Sequence, residues 1–352
     1  MTPKPISVLI VDDSPIQQKL FSHLCKMDSS LQVIGVVGDG AEALTFIGNQ
    51  RPDVILMDIM MPVMNGFEAT RRIMETDPIP IIICSASTKP GEVDKTFLAL
   101  EAGAVAFIAK PAGPGHPQFQ SDVANLIQTL KDMAEVKLTK RSRRKPAEGA
   151  VEPVWGGARF LSNRPPWLIA IGASTGGPVA LQTILKNLPK DYPVPLMIVQ
   201  HITAGFMRGL ADWLESTTGF PVQIASTGMK MAPGHAYLAP DGFHMGINGE
   251  GAILLSSALP ENGLRPAVSF LFRSVTEVCG SSAVGILLTG MGKDGAEDLK
   301  RMKDRGALTI AQDWESSVIH GMPGEAIRLG GAREVLPPEA IAQLLASLVT
   351  QP

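Results

Sequence analysis

The sequence is poor in cysteine and in aromatic residues. Its three cysteines, Cys25, Cys84 and Cys279, lie far apart, and no two have the spacing of paired metal ligands. Aromatic residues make up 5% of the chain. A disulfide-rich secreted scaffold is therefore not expected, and reduced thiols in a cytoplasmic protein are the simplest interpretation.

Long apolar runs and an excess of positive charge are also missing. No run approaches the roughly 20 apolar residues that a membrane-spanning helix needs, and no secretion signal precedes the first apolar run. The formal net charge is −3, so the chain has no overall basic field to attract nucleic acid. We therefore expect a cytoplasmic protein with no nucleic-acid partner and no direct membrane insertion.

The length and the residues that are abundant favour two α/β domains. The chain has 352 residues, of which 45% are hydrophobic and 35 are glycine. Domains usually divide beyond roughly 250–300 residues. We expect a first domain over residues 1–136, a basic, Pro/Gly-rich linker over 137–166 and a second domain over 167–352.

Apolar runs without polar alternation follow one another through the first domain, separated by helix-length segments. This pattern predicts a doubly wound, five-stranded parallel sheet with helices on both faces. Ser14 is a candidate N-cap, with Pro15 at the first helical position. The expected strands are Ser7–Val11, Val33–Val37, Val54–Met57, Pro80–Cys84 and Ala104–Ile108.

The segment KLTKRSRRK, residues 137–145, concentrates positive charge between the domains. A solvated linker is the simpler interpretation. The alternative hypothesis is that this strip contacts the acidic first domain and helps to set the domain arrangement.

A second alternation of apolar runs and helical segments begins at Pro166 and predicts another mostly parallel sheet. A helix is expected over Val179–Asn187. The expected strands are Trp167–Ile171, Pro195–Val199, Ala252–Leu255, Ala283–Leu288 and Ala307–Ala311.

Acidic side chains follow two strands of the first domain. Asp12 and Asp13 follow the first strand, Asp58 the third, and Lys110 the fifth. Because carboxyl ends of parallel strands meet at the switch point of the sheet, the three carboxylates should share one crevice. Such a cluster needs a cation, and oxygen ligands favour Mg²⁺. One aspartate could then accept a phosphoryl group, with Ser85 at the end of the fourth strand as a hydrogen-bond donor.

Strand-end aspartates can also simply cap the helices that follow them. Four strand ends that supply Asp-Asp, Asp, Ser and Lys in this order favour a shared site. The motifs IVDDSP, ILMDIMMPVMNGFEAT, ICSAS and FIAKP resemble the receiver domain of bacterial response regulators over residues 6 to about 130. The resemblance implies Asp58 as the phosphoacceptor, Asp12, Asp13, Asp58 and the Met60 carbonyl as the Mg²⁺ site, and Ser85, Phe107 and Lys110 as the switch residues.

The second domain opens with a strand, a glycine-rich turn and a helix. Residues 172–176, GASTG, fit the G-x-S-x-G elbow that exposes a nucleophilic serine, here Ser174. The helix that follows would aim free backbone N–H groups at a developing oxyanion. A dinucleotide-binding loop is the alternative, but its fingerprint has glycine where this chain has Ser174, and no acidic residue ends the next strand.

A serine nucleophile needs a base within hydrogen-bond reach. His201 ends the strand after Ser174, so both should lie at the same sheet edge. His235, His244 and His320 lie in Gly/Pro-rich segments that we expect to be loops, and they are weaker candidates.

An orienting acid is expected at another strand end, and Asp294 follows an apolar run and a flexible turn. Asp294 could also cap the helix that follows it. Asp241 and Asp313 are lower-ranked alternatives. The chain order Ser, His, Asp differs from the familiar serine-hydrolase orders and suggests a fold distinct from the α/β-hydrolases.

The motifs IGASTGGP, VQH, LAPDGFH, LLTGMGKDGA and SSVIHGMPGEAI resemble the chemotaxis protein-glutamate methylesterases, the CheB family, over residues 167 to about 347. The resemblance implies a triad of Ser174, His201 and Asp294, with the backbone N–H groups of Met291 and Thr175 as oxyanion donors. It implies a three-layer α/β catalytic domain without a cofactor for ester hydrolysis. The expected substrates are methyl-accepting chemoreceptors, whose glutamate methyl esters are hydrolysed and whose glutamines are deamidated, and the expected phosphodonor is a chemotaxis histidine kinase.

A response regulator with a non-catalytic binding output, such as a DNA-binding module, is the alternative. It predicts a compact, basic, helical second domain, whereas this region is slightly acidic and rich in strand-like runs. After His201 the chain reads ITAGFMRG, where many receptor-specific members have Met-Pro and then Phe-Thr, so the receptor class stays open.

The resemblance also implies that an unphosphorylated receiver blocks the catalytic cleft. Deleting residues 1–140 should therefore raise basal esterase activity, measured as methanol release without a phosphodonor. Unchanged or lower activity in a folded fragment would contradict inhibition by occlusion.

Overall fold

The structure is a computed structural model that describes residues 4–85, 90–136 and 166–349. These residues divide into two compact units, one on each side of the gap at 137–165, and each unit is described by itself. The basic segment 137–145 and its hypothetical contact lie outside the described residues. The domain boundaries stay predictions.

The N-terminal unit alternates strands and helices through its described length. Its elements are β1 (Ile6–Val11), α1 (Pro15–Lys26), β2 (Leu31–Val37), α2 (Gly40–Asn49), β3 (Val54–Met57), α3 (Gly66–Thr76), β4 (Ile81–Ser85), α4 (Pro90–Ala102), β5 (Ala106–Ala109) and α5 (Phe119–Ala134).

The strands of this unit form one parallel sheet in the order β2-β1-β3-β4-β5. All residues of β3 and β4 are buried, which explains why their sequences lack polar alternation. The order reverses between β1 and β3, so the carboxyl ends of these two strands flank the switch point of the sheet. The predicted doubly wound fold is confirmed.

Side-chain caps begin the first three helices of this unit. The Ser14 hydroxyl accepts a hydrogen bond from Gln17 N at 3.5 Å, and Pro15 occupies the first helical position. Asp39 and Asn65 cap α2 and α3 in the same way. These side chains satisfy amide groups that the helices leave free, and the predicted start of α1 is confirmed.

The C-terminal unit contains nine strands, six helices and one 3₁₀ turn in its described residues. They are β6 (Leu168–Ala173), α6 (Gly177–Asn187), β7 (Leu196–Gln200), α7 (Met207–Thr218), β8 (Val222–Ile224), β9 (Ala236–Leu238), β10 (His244–Ile247), β11 (Ile253–Ser256), α8 (Val268–Cys279), the 3₁₀ turn (Gly280–Ser282), β12 (Ala283–Leu287), α9 (Ala296–Asp304), β13 (Leu308–Gln312), α10 (Met322–Arg328), β14 (Glu334–Leu336) and α11 (Pro338–Ser347).

Seven of these strands form a parallel sheet in the order β14-β13-β12-β6-β7-β9-β8. Helix α6 contacts both α7 and α11, and α9 contacts both α8 and α10. The predicted α/β fold with a mostly parallel sheet is confirmed. Helix α8 packs on β6, β7 and β12, and its buried Leu271, Phe272 and Val275 belong to the hydrophobic core of this unit.

One expected strand lies elsewhere. The run Ala252–Leu255 contributes to β11, which pairs with β10 in an antiparallel two-stranded ribbon. The two strands are joined by a turn in which the Asn248 side chain accepts hydrogen bonds from Glu250 N and Ala252 N. So short a connection permits antiparallel pairing and is far too short for a parallel crossover.

The buried elements of both units are short. In the part of the chain that the structure describes, no helix combines the length and the apolar character needed to cross a membrane.

Two helical glycines of the N-terminal unit form a matched pair for a stability test. A Cβ at Gly66 would lie 2.1 Å from the carbonyl oxygen of Asp58, whereas a Cβ at Gly48 meets nothing within 4 Å. Gly66→Ala should destabilise the unit by about 1–3 kcal/mol through overpacking. Gly48→Ala should stabilise it by about 0.5–1 kcal/mol, because alanine loses less backbone entropy in a helix.

The measurement is hydrogen exchange of peptides from this unit, followed by mass spectrometry on the whole chain. Equal protection in the two variants would contradict the close approach of Gly66 to the strand end.

Candidate functional site

Three carboxylates meet at the switch point of the N-terminal sheet. Oxygens of Asp12, Asp13 and Asp58 all lie within 4.8 Å of one another. Asp12 and Asp58 are buried, while Asp13 is exposed. Lys110 Nζ lies 2.7 Å from Asp12 Oδ2 and 3.2 Å from Asp58 Oδ2. The structure therefore brings together the four charged residues that the sequence placed in one crevice.

One lysine does not offset the charge of three carboxylates. Burial raises the pKa of Asp58; Lys110 lowers it, and the neighbouring Asp12 raises it further. A second cation at this point would stabilise the ionised form of Asp58. The donor set consists of hard oxygen ligands and fits Mg²⁺. Met60, the other expected ligand, lies two residues beyond Asp58 in the same loop.

The expected switch residues lie on neighbouring strands. Ser85 ends β4 and is buried, and its carbonyl accepts a hydrogen bond from Lys110 N at 2.8 Å. Phe107 on β5 is half-buried, pairs in register with Ile83 and makes an edge contact with Phe97 at 5.8 Å between ring centroids. Ser85 and Phe107 thus lie on the neighbouring strands β4 and β5, and β5 is followed directly by Lys110 of the carboxylate pocket.

Ser174 lies in the tight turn between β6 and α6. Its backbone N–H donates to Thr289 O at 3.0 Å, and its carbonyl accepts from Gly177 N at 2.8 Å. Gly176 has a φ of +79°, in the region that favours glycine. The turn places Ser174 before the N-terminus of α6, as the elbow motif predicts, but the residue is half-buried where the motif predicts an exposed serine.

His201 comes to the same edge through strand register. Ala173 and Gln200 are paired at the ends of β6 and β7, and His201 N donates to Ala173 O at 2.9 Å. Ser174 and His201 are therefore the first residues beyond a paired position on two adjacent strands. This confirms that they lie at one sheet edge.

Asp294, 4% exposed, completes the group from the loop after β12. Its Oδ2 lies 3.0 Å from His201 Nε2. The ring N–H is not aligned on this oxygen, and Nε2 has no well-directed hydrogen-bond acceptor among the described residues. No hydrogen bond joins the Ser174 hydroxyl to His201 in the described residues either. The His201 and Asp294 side chains are in contact, Ser174 follows the paired position on the neighbouring strand, and catalytic hydrogen bonds commonly tighten only when substrate is bound.

Asp294 also caps a helix, but not the one that follows it. Its oxygens accept from Val268 N at 2.6 Å and Ser269 N at 3.1 Å, the first amides of α8. The N-cap of α9 is Gly295, which has no side chain for the role. The alternative role, capping of the following helix, is not observed, because the carboxylate lies on the first amides of α8.

These partners determine the charge state of Asp294. Burial alone would raise its pKa, but the contact with His201 and the hydrogen bonds from Ser269 and Val268 lower it below the ordinary value. The carboxylate is therefore held ionised, as an acid that orients a histidine must be.

The expected oxyanion donors flank Ser174. Neither Met291 N–H nor Thr175 N–H has a hydrogen-bond partner among the described residues. A Cβ at Gly290 would lie 2.6 Å from Ser174 Cβ, so the chain just before Met291 packs directly against the serine. Free amides beside a serine and a helix N-terminus can stabilise a developing negative charge.

The other candidate acids lie elsewhere. Asp241 accepts from Gly205 N at 2.8 Å and Asp313 from Ser316 N at 3.0 Å, so both organise loops.

The other candidate histidines of this unit have backbone partners. His235 contacts Pro233 O, and His320 contacts Gln312 O. The expectation that His244 lies in a loop is wrong: it is a fully buried residue of β10, where it pairs with Ser256 across the ribbon.

Sequence reasoning missed two buried glutamines that hold the strand ends. Gln200 Nε2 donates to the carbonyls of Ser174 and His201, both at 2.8 Å. Gln312 Oε1 accepts from Thr289 N at 2.8 Å. The available signal was that LMIVQ and LTIAQ both end an apolar strand with glutamine.

Residues 169–345 match the family described as CheB methylesterase, which is half of the chain. The chain belongs to the CheB methylesterase family. Residues 8–117 match the response regulator receiver domain, so this member of the family carries a receiver.

Relatives match this CheB-family chain over nearly its whole length. A protein-glutamate methylesterase/protein-glutamine glutaminase of Geobacter metallireducens is 50% identical over 98% of the chain and 99% of its own length. One from Nitrosospira multiformis is 49% identical and covers 98% of each chain. The crystal structure of the Thermotoga maritima CheB methylesterase catalytic domain, 39% identical, covers 53% of this chain and all of its own, with a TM-score of 0.51.

The substitution Asp294→Asn tests whether Asp294 orients His201. The variant keeps an acceptor for α8 but loses the charge that faces His201. The reaction of Ser174 with a serine-directed fluorophosphonate should slow by about 10⁴-fold, the effect of the equivalent change in a serine-protease triad. Asp304→Asn, at an exposed ion pair with Lys300, is the control. Equal labelling of both variants would contradict an orienting role.

The same variant has a pH signature. Because the pKa of Asp294 in the folded state lies below its ordinary 3.8, the ionised carboxylate stabilises the fold above that pH. This contribution is lost as the pH falls through the lowered value. Urea unfolding of the wild type between pH 7 and pH 3 should therefore show a loss of stability that is smaller in Asp294→Asn.

Proposed function

We propose that this chain is a phosphorylation-activated serine esterase that hydrolyses glutamate methyl esters on methyl-accepting chemoreceptors and deamidates receptor glutamines. The observation that carries the proposal is the grouping of Ser174, His201 and Asp294 at one edge of the C-terminal sheet. The family match and the full-length relatives support it.

In the proposed reaction His201 removes the Ser174 hydroxyl proton as the serine oxygen attacks the ester carbonyl. Asp294 orients the histidine and stabilises its protonated form. The N–H groups of Met291 and Thr175 stabilise the oxyanion. Proton transfer from His201 to the methoxy group releases methanol and leaves an acyl-enzyme.

Hydrolysis of the acyl-enzyme completes the cycle. Water, deprotonated by His201, attacks the acyl carbon and releases the glutamate carboxyl group, and Ser174 regains its proton. With a glutamine substrate the same steps release ammonia instead of methanol. Neither reaction needs a cofactor.

In this proposal the receiver domain controls the esterase activity. Asp58 accepts a phosphoryl group from a chemotaxis histidine kinase, and Asp12, Asp13, Asp58 and the Met60 carbonyl would hold Mg²⁺. When bound there, the metal would supply positive charge that offsets the incoming phosphoryl oxygens. Lys110 adds a fixed cation, and Ser85 and Phe107 convert phosphorylation into a change of the receiver surface.

The proposed location is the cytoplasm, which is consistent with the free thiols of Cys25, Cys84 and Cys279. A receiver with a non-catalytic binding output has no support from the parallel sheet and the family of the C-terminal unit.

The test is methanol release from methylated receptor membranes, with and without a small-molecule phosphodonor and Mg²⁺. We expect phosphodonor to stimulate release by the wild type and chelation of Mg²⁺ to abolish the stimulation. Ser174→Ala should lose at least about 10⁴-fold in rate. Asp58→Asn should keep basal release without stimulation.

Two outcomes would contradict the proposal. Full activity of Ser174→Ala would remove the serine mechanism. No release by a wild-type protein whose receiver is phosphorylated would remove these receptors as substrates.

A further inference from the structure

We propose that Gln200 is a positioning residue that joins the strand end of the nucleophile to the strand end of the base. The inference rests on the proposed function, in which Ser174 and His201 fill these roles. Gln200 is the last residue of β7 and lies opposite Ala173 in the register with β6.

One amide nitrogen holds both carbonyls. Gln200 Nε2 donates to Ser174 O at 2.8 Å and to His201 O at 2.8 Å. A primary amide has two N–H hydrogens, so both are used. Turning the amide over would place Oε1 against two carbonyl oxygens, so these acceptors determine its orientation.

This bridge lies where the sheet ends. The backbone ladder between β6 and β7 reaches His201 N and Ala173 O at 2.9 Å. Beyond this backbone hydrogen bond, the side chain of Gln200 links the residues that follow the two strands. Ser174 O also accepts from Gly177 N at 2.8 Å, so the bridge and the first turn of α6 meet on one carbonyl.

The chain leaves space for this amide. A Cβ at Gly177 would lie 2.1 Å from Gln200 Oε1, so the oxygen lies against the first residue of α6. Oε1 is buried and has no hydrogen-bond partner among the described residues. The partial positive charge of a helix N-terminus favours an oxygen in that place.

Gln200 acts on the reaction through Ser174 and His201. It is 2% exposed, so it is not available to a receptor side chain. Loss of the bridge should therefore lower kcat and leave KM unchanged. A misplacement of about 1 Å between reacting groups costs roughly 10²-fold in rate.

Two variants remove the donor in different ways. Gln200→Met keeps the length of the side chain and has no N–H group. Gln200→Glu keeps the shape, but a carboxyl group donates at most one hydrogen bond even when it is protonated, so at least one of the two carbonyls loses its donor. Gln223→Met is the matched control, because Gln223 is an exposed residue of edge strand β8 in the same sheet.

Each full-length variant is measured in two assays below its unfolding midpoint, which circular dichroism determines. The first is the rate at which Ser174 reacts with a small fluorophosphonate. The second is kcat and KM for methanol release from methylated receptor membranes. We expect both Gln200 variants to react roughly 10²-fold more slowly, with lower kcat and unchanged KM. The Gln223 control should match the wild type.

Wild-type labelling of a folded Gln200→Met protein would overturn the proposal. An increase in KM at constant kcat would also overturn it, as would an equal loss of rate in the Gln223 control. If the wild type releases no methanol but Ser174 still reacts, the receptor substrate is wrong, and the fluorophosphonate rates still test Gln200.

Discussion

Parallel pairing of neighbouring strands is the constraint on which both candidate sites depend. It directs the carboxyl ends of β1, β3 and β5 to one edge of the N-terminal sheet and those of β6, β7 and β12 to one edge of the other. Residues that are far apart in the chain therefore lie close together when each comes directly after one of these strands. No side chain has to cross the core, which stays apolar between the layers.

The two sites use buried charge in opposite ways. In the receiver pocket, burial and a neighbouring aspartate make ionisation of Asp58 more difficult, so the pocket favours an added cation. In the catalytic unit, helix amides and His201 favour the ionised Asp294. The first site is therefore suited to bind a cation, and in the proposed mechanism the second would keep its charge throughout the reaction cycle. This difference matches the roles proposed for the two sites, a phosphorylation switch and an acid that orients a base.

Much of the fold and of both sites could be predicted from the sequence, because the informative features are local. Apolar runs without alternation indicated the central strands, and strand-end motifs placed Asp58, Ser174 and His201 at their edges. Strands of three residues, such as β8, β9 and β14, are too short to produce a periodic pattern.

Long-range geometry accounts for the features that could not be predicted. The carboxylate of Asp294 caps a helix that begins 26 residues earlier in the chain. His244 was expected in a loop because Pro240, Gly242 and Gly246 lie near it in the sequence, yet it is buried in the antiparallel ribbon of β10 and β11. The hydrogen bonds of Gln200 depend on the register of two strands, which no local pattern reveals.

The shared carboxylate of Asp294 has a consequence for the usual trade-off between stability and activity. Groups held for catalysis often cost stability, so enzymes commonly become more robust when such groups are replaced. Here the same oxygens hold the first turn of a core helix, so natural selection for a well-formed fold and selection for turnover act on this position in the same direction. If the proposed mechanism holds, loss of activity without loss of stability is therefore more accessible through Ser174, whose hydroxyl makes no hydrogen bond among the described residues.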